Sequence, residues 1–113
     1  MAGSDYGAKY PEREFRRVET EFALDSGRQP KRSGYRPIWR LKQAGADPVL
    51  VGMCEMTVVG KDSILPGETS KASWIFGPGV QGYIEQLVKL GDQVEVCEGT
   101  HRIGTVRVLE FVY

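Results

Sequence analysis

The side chains best suited to chemistry in this sequence are the basic ones between Gly27 and Arg40. Five basic residues occur there without any acidic residue, although the whole chain balances 15 basic against 15 acidic side chains. Arginine and lysine in an exposed loop can bind phosphate oxygens, and arginine can do so through two parallel hydrogen bonds. The stretch therefore predicts a local positive patch in a neutral chain, made of Arg28, Lys31, Arg32, Arg36 and Arg40, which is either a ligand contact or a solvated charged face.

The sequence offers little for catalysis. His101 is the single histidine and has no Cys or Asp companion nearby in sequence. Cys54 and Cys97 stand at no metal-ligand or redox spacing, and each lies in an apolar stretch, so we predict two buried thiols. A Gly-x-x-x-x-Gly-Lys-Ser/Thr loop for nucleotide phosphates is absent. We therefore expect no enzyme, no catalytic or metal-binding residues, no cofactor and no bound nucleotide.

The elements that position these residues belong to one domain, since 113 residues suffice for a single core. Residues 1–14 show neither helical nor strand periodicity and are predicted to be a flexible arm, which leaves residues 15–113 for the folded domain. No apolar stretch approaches the roughly 18 residues of a membrane span. The N-terminus also lacks an apolar signal segment, so we expect a cytoplasmic protein without a membrane partner.

Alternation of apolar and polar residues predicts strands along most of the chain. Val18, Thr20, Phe22 and Leu24 share one face of the first strand, which begins near Arg16. The rest of the pattern consists of a strand beginning at Ile38, a turn over Gln43–Pro48, a bent strand within Val49–Val59 with Gly52 at the irregularity, a loop over Lys61–Glu68, and strands over Lys71–Phe76, Gln93–Cys97 and 104–112.

The segment from Gly77 to Gly91 is ambiguous, because its apolar residues fit a helical turn or a short strand. We favour strand or irregular structure there, with a single helical turn as the other possibility. Many short strands between Gly and Pro turns predict an all-β protein, either an antiparallel sandwich or a barrel. A closed antiparallel barrel of approximately six strands is the favoured architecture, since closure removes the exposed strand edges.

Three ordered motifs resemble the third-domain β-barrel of bacterial elongation factor Tu. Gly27-Arg28, Pro30 and Gly34-Tyr35-Arg36-Pro37 are similar to the Gly-Arg-x-x-Pro-x-x-x-Gly-Tyr-Arg-Pro signature between the first two strands of that domain. The other two matches are Leu65-Pro66-Gly67-Glu68, similar to a Met-Pro-Gly-Asp turn, and Glu98-Gly99 through Ile103-Gly104, similar to a Glu-Gly-Gly-Arg-x-Val-Gly hairpin. The resemblance covers roughly residues 17–112.

The resemblance implies a binding role, because in that family this barrel contacts the T arm of aminoacyl-tRNA. It would transfer the contact to Arg28 and to the Glu98-Gly99 turn, with stacking from Tyr35 or His101. For Arg36 we favour a structural role, paired to a carboxylate inside the barrel rim, over a ligand contact. The candidate binding residues are Arg28, Lys31, Arg32, Tyr35, Arg36, Glu98, Gly99, His101 and Arg102; we expect the first three to be exposed.

Two functions from different classes remain open. The first is a module that binds tRNA-like RNA or another translation component through the 27–40 loop and the 98–104 hairpin. The second is a protein-binding module, such as an immunity protein that neutralises a toxin or a competitor for a translation factor's partner. The second function would use an apolar contact formed by Tyr83, Ile84 and Leu87.

Overall fold

The computed structural model of the chain describes residues 15–113. The predicted arm, residues 1–14, lies outside the described residues. Within 15–113 the elements follow in the order β1 (Arg17–Leu24), β2 (Lys31–Arg32), β3 (Ile38–Gln43), β4 (Ala46–Val51), β5 (Cys54–Val58), β6 (Ser63–Ile64), β7 (Thr69–Phe76), α1 (Gln81–Leu87), β8 (Gln93–Glu98) and β9 (His101–Val112).

One antiparallel sheet contains seven of these strands, in the order β4-β3-β8-β9-β1-β7-β5. The two remaining strands, β2 and β6, pair with each other in a separate ribbon. The prediction of an all-β, barrel-like antiparallel fold is confirmed. The predicted count of about six strands is too low, because the stretch 49–59 contributes parts of two strands at opposite edges of the sheet.

The sheet is strongly curled, since its two edge strands are consecutive in the chain. Between the end of β4 at Val51 and the start of β5 at Cys54 stand only Gly52 and Met53. Three virtual bonds of 3.8 Å limit the separation of those Cα atoms to about 11 Å. The segment before β3 also reaches β5: Gly34 N–H donates to the Met56 carbonyl at 2.7 Å, and Met56 N–H donates to the Tyr35 carbonyl at 2.9 Å.

The inner face of the curled sheet forms the core. Trp39 of β3 and Trp74 of β7 are fully buried and meet edge to face, with ring centroids 5.3 Å apart. Thr20 is buried among them; its hydroxyl donates to the Ala72 carbonyl at 3.0 Å and accepts from Trp74 Nε1 at 2.9 Å. A buried hydroxyl with both a donor and an acceptor partner avoids the cost of an unsatisfied polar group.

Most predicted strands are confirmed, and one predicted turn is too long. The alternation of β1 is confirmed, because all four residues predicted for its inner face are buried. The predicted turn over Gln43–Pro48 shrinks to Ala44-Gly45, and β4 begins at Ala46. Pro48 is compatible with β4 because β4 is an edge strand, where a missing N–H leaves no ladder bond unmade.

The favoured interpretation of residues 77–91 as strand or irregular structure is wrong, because Gln81–Leu87 form the helix α1. Val80, Ile84, Leu87 and Val88 follow the i, i+4, i+7, i+8 spacing that places side chains on one helical face. Ile84 and Val88 are buried, and Val80 and Leu87 pack against the core at partial burial. Packing of this face stabilises a helix that is too short to be stable alone.

Candidate binding surface

The loop after β1 is built to reach the β8–β9 hairpin. Asp25 N–H donates to the Ile103 carbonyl at 2.9 Å, which fixes the beginning of the loop beside β9. Gly27 and Gly34 have φ values of 80° and 97°, in the left-handed region that glycine adopts without strain. Between the two glycines, β2 pairs with β6 in a short ribbon, and this pairing fixes the backbone of the loop.

Glu98, at the end of β8, joins the loop to the hairpin. Its carboxylate accepts a hydrogen bond from the Tyr35 hydroxyl and an ion-paired hydrogen bond from Lys31 Nζ at 2.9 Å. Lys31 Nζ also lies 4.8 Å from the centre of the Tyr35 ring, within the range of a cation–π contact. Two candidate residues of the loop and one of the hairpin therefore form one contact network.

A second set of contacts ties the loop to β9. Arg28 donates to the Arg102 carbonyl oxygen at 2.6 Å, and the Arg102 guanidinium binds both oxygens of Asp25 at 3.2 Å. We call the combined region the loop–hairpin surface; it consists of Asp25, Arg28, Lys31, Arg32, Tyr35, Glu98, Gly99, His101 and Arg102. Gly99, with φ 59°, makes the hairpin turn, and His101 is exposed next to it.

The exposure predicted for the loop cations is correct for two of the three. Arg28 and Arg32 are exposed, and within residues 15–113 Arg32 forms no ion pair. The prediction for Lys31 is wrong, because only 12% of its side chain is exposed. The ion pair with Glu98 and the Tyr35 ring cover the lysine, and neither contact is visible in a local pattern.

Arg36 lies apart from the loop–hairpin surface. Its guanidinium pairs with Glu55 of β5 at 3.1 Å, while 76% of its side chain stays exposed. The carboxylate partner that we favoured for Arg36 is therefore present, although the side chain remains at the surface. Arg40 is likewise paired, with Glu95 of β8 at 2.9 Å.

Sequence reasoning missed two carboxylates, Asp25 and Glu55. Asp25 follows the last residue of β1, and Glu55 lies on an outward position of β5. Each neutralises a candidate arginine that is far from it along the chain. No signal in the sequence identifies such a partner without knowledge of which strands are adjacent.

The electrostatics of the network follow from its hydrogen bonds. The Tyr35 hydroxyl and the Lys31 ammonium lower the pKa of the Glu98 carboxyl below its usual value of 4.5. Burial and the neighbouring Glu98 carboxylate raise the pKa of the Tyr35 phenol, so that it remains a hydrogen-bond donor at all physiological pH values. Lys31 and Tyr35 therefore hold Glu98 in its charged form.

We expect this network to make folding stability depend on pH. The folded-state pKa of Glu98 is lowered, so its contribution to stability is complete above its unfolded value of 4.5 and is lost as the pH falls through the folded-state value. Glu98→Gln removes the charge at every pH. Denaturant unfolding should therefore show a stability difference between wild type and Glu98→Gln at neutral pH that shrinks in acid.

A stability difference that stays constant from neutral pH to well below the pKa of an ordinary carboxyl group would contradict this assignment. Glu68→Gln is the matched control, because the Leu65 N–H and Lys61 lower the pKa of Glu68 in the same direction, outside the loop–hairpin surface. The stability difference caused by Glu68→Gln should shrink in acid in the same way, so the pair compares two carboxylates of which only Glu98 belongs to the loop–hairpin surface.

The remaining sequence predictions about chemistry concern the cysteines and metals. Cys54 and Cys97 are free and buried, as predicted. Burial raises the pKa of the Cys54 thiol to about 12 and also raises that of Cys97. Within residues 15–113, no group of three His, Cys, Asp or Glu residues is arranged to hold a metal ion. The helix in this part of the chain is too short and too polar to cross a membrane.

The fold leaves little exposed surface for the apolar contact predicted from Tyr83, Ile84 and Leu87. Ile84 is completely buried and Leu87 is half-buried, so that only Tyr83 of the three is exposed. This segment therefore offers a protein partner little apolar surface beyond the Tyr83 side chain. A toxin or other protein partner stays an untested prediction.

No protein-family model and no curated protein matches this chain. The resemblance to the third-domain barrel of elongation factor Tu therefore rests on the three motifs, and it stays a prediction. What the chain can bind has to be argued from its own surface.

Proposed function

We propose that this chain is a non-enzymatic binding module that recognises the phosphate backbone of a folded RNA, such as tRNA, through the loop–hairpin surface. The observation that carries the proposal is the hydrogen bond from the Arg28 guanidinium to the Arg102 carbonyl oxygen, which joins the loop to the hairpin across 74 residues of sequence. The loop–hairpin surface therefore contains four cations and two anions, and it has a net charge of +2 in a chain whose net charge is zero. The cations are Arg28, Lys31, Arg32 and Arg102, and the anions are Asp25 and Glu98.

Two arginines of this surface have donors left for a ligand. Arg32 is exposed and has no ion pair within residues 15–113. Arg28 uses one terminal nitrogen for the Arg102 carbonyl, and a guanidinium carries five N–H donors. Phosphate oxygens can accept these remaining donors, and the backbone at Gly99 allows a sugar–phosphate chain to approach closely.

The basic surface continues from the hairpin along β3. Arg102 lines a cleft of about 220 Å³ together with Arg40 and Lys42, and Asp92 and Glu95 of the same lining balance two of these three charges. Lys42 is exposed and has no ion pair within the described residues, whereas Arg40 is held by Glu95. Lys42 therefore adds one cation without an ion pair in the described residues, close enough to Arg102 to contact a further phosphate of the same ligand.

The three motifs support a barrel of the elongation factor Tu third-domain type, because they meet at one end of the sheet. Gly67 N–H, in the second motif, donates to the Leu24 carbonyl at 2.8 Å, and Leu24 lies three residues before the start of the first motif. Arg28 and Arg102 then join the first motif to the third. The bonds of Gly34 and Tyr35 to Met56 support closure of this barrel.

Binding of tRNA measured over a range of salt concentrations tests the proposal. Arg32→Ala should weaken binding about tenfold, since an ionic hydrogen bond contributes roughly 1.5 kcal/mol or more. The same variant should reduce the slope of log affinity against log salt by about one. Because Arg32 has no ion pair within residues 15–113, its removal should leave folding stability unchanged.

Lys89→Ala is the matched control, because Lys89 is exposed and lies before β8, at the opposite end of that strand from Glu98. It removes the same charge from the chain and should leave tRNA affinity unchanged. Absence of tRNA binding at low salt contradicts the proposal. Equal losses for Arg32→Ala and Lys89→Ala contradict the assignment to the loop–hairpin surface.

A further inference from the structure

A second surface, outside the loop–hairpin surface, exposes apolar side chains between two charges. We call it the Met53 patch; it consists of Met53, Ile75 and Gly77 with Arg36 and Glu55 at the rim. These residues line a cleft of about 310 Å³, whose lining also includes Cys54 and Phe76. Met53 is 67% exposed and Ile75 is 51% exposed.

The backbone holds Met53 in an unfavourable conformation that keeps its side chain at the surface. Its φ of 53° lies in the left-handed region, where it is the one residue other than glycine within 15–113. Gly77 N–H donates to the Met53 carbonyl at 2.8 Å and fixes this conformation. The Met53 side chain covers Gly77, where a Cβ would lie 2.8 Å from Met53 Cε. Strain of this kind concentrates at functional sites.

One of the two rim charges, Glu55, belongs to the same pair of strands as Ile75, and the other, Arg36, lies just before β3. Glu55 of β5 pairs with Ile75 of β7 in the sheet register, so the carboxylate and the aliphatic side chain are direct neighbours. Arg36 reaches Glu55 across the patch at 3.1 Å and remains 76% exposed. The backbone of β5 at Met56 is already bonded to Gly34 and Tyr35, so addition of a foreign strand at this position is blocked.

We propose that the Met53 patch binds a second copy of this chain in a two-fold symmetric dimer. A patch with an ion pair beside an apolar centre is complementary to itself, because a two-fold rotation sets the Arg36–Glu55 pair of one copy antiparallel to that of the other, so that each pair keeps its internal bond and gains an opposite charge as a neighbour. An apolar centre within a polar rim is the usual composition of a protein interface. The net charge of zero adds no long-range repulsion between copies.

Sedimentation of the full chain over a wide concentration range tests the dimer. Wild type should show a reversible monomer–dimer equilibrium. Met53→Gly should raise the dimer dissociation constant about tenfold or more, since a central apolar anchor is lost. The melting temperature of the dilute monomer should stay equal or rise, because glycine adopts a φ of 53° without strain.

Control variants distinguish dimerisation through the Met53 patch from a general effect of exposed apolar side chains. Leu90→Ala removes another exposed apolar side chain, which is 62% exposed and lies between α1 and β8, and should leave the dissociation constant unchanged. Ile75→Lys should weaken the dimer as strongly as Met53→Gly, and it does so without a change at the strained position. Arg36→Glu should weaken the dimer, and the double variant Arg36→Glu/Glu55→Arg should restore it.

A chain that is monomeric at all concentrations overturns the proposal, and so does a dimer that neither Met53→Gly nor Ile75→Lys weakens. The test is independent of RNA binding, because Met53 and Ile75 lie outside the loop–hairpin surface. Failure of tRNA binding would leave the dimer proposal intact, and a monomeric protein would leave the RNA proposal intact.

Discussion

Gly104→Ala is expected to lower the free energy of unfolding by about 3 kcal/mol or more, at the upper end of the range for an overpacked core. Gly104 is buried in β9 between β8 and β1, where it pairs with Val96 and with Leu24. A Cβ at this position would lie 2.4 Å from the Ala23 carbonyl oxygen and 2.9 Å from Phe22 Cε1. A backbone oxygen cannot move aside as a flexible side chain can, so the strands must separate.

Gly82→Ala is the matched control for this change. Gly82 lies in α1, is exposed, and a Cβ there would meet no atom within 4 Å. Alanine in a helix is about 0.5–1 kcal/mol more favourable than glycine, so this variant should raise stability. Urea unfolding of both variants checks the pair. A Gly104→Ala protein as stable as wild type would show that β1 and β9 are farther apart than described.

Some glycines of this chain are needed for their backbone conformation, and others because there is no space for a side chain. Gly27 and Gly34 have positive φ values and open surroundings, so a side chain there would strain the backbone without a clash. Gly104 has an ordinary backbone and no room. Both kinds lie within the motifs that resemble the translation-factor barrel, which gives each of these motif glycines a physical reason.

The sequence predicts the strands of the sheet well where one face of the strand is buried and the other is exposed to solvent. The alternation of β1 and of β7 identifies their inner residues, because period-two burial is recorded directly in the residue types. It does not predict α1, whose seven residues include Gly82 and span too few turns to establish a period. Ile84 and Val88 are stabilised by the sheet beneath them, and that is tertiary information.

All members of the candidate surface except Asp25 are predictable from the sequence, whereas its contacts are not. The motifs indicate that the loop and the hairpin belong together, yet Glu98 stands 67 residues from Lys31 and 63 from Tyr35. Such pairs depend on the register of strands that are distant in sequence. The paired cations, Lys31 and Arg102, are therefore positioned by the fold, whereas Arg32 remains available to a ligand.

Trp74→Ala should be similarly destabilising, by about 3–5 kcal/mol, the usual range for loss of a large buried aromatic side chain. Trp74 is fully buried in β7 and packs edge to face on Trp39 at 5.3 Å and on Phe22 at 5.5 Å. It also pairs with Val18 of β1 and Met56 of β5, so the cavity would open between two strand pairs. Denaturant unfolding followed by circular dichroism measures the loss.

Thr20→Val separates the hydrogen bond of Trp74 from its packing. Valine has nearly the shape of threonine but no hydroxyl, so it leaves Trp74 Nε1 buried without its acceptor, at a cost of about 1–3 kcal/mol. In the Trp74→Ala background the indole donor is absent, and the cost of Thr20→Val should fall to that of the remaining bond to the Ala72 carbonyl. An equal cost in both backgrounds would show that the Thr20–Trp74 bond does not stabilise the core.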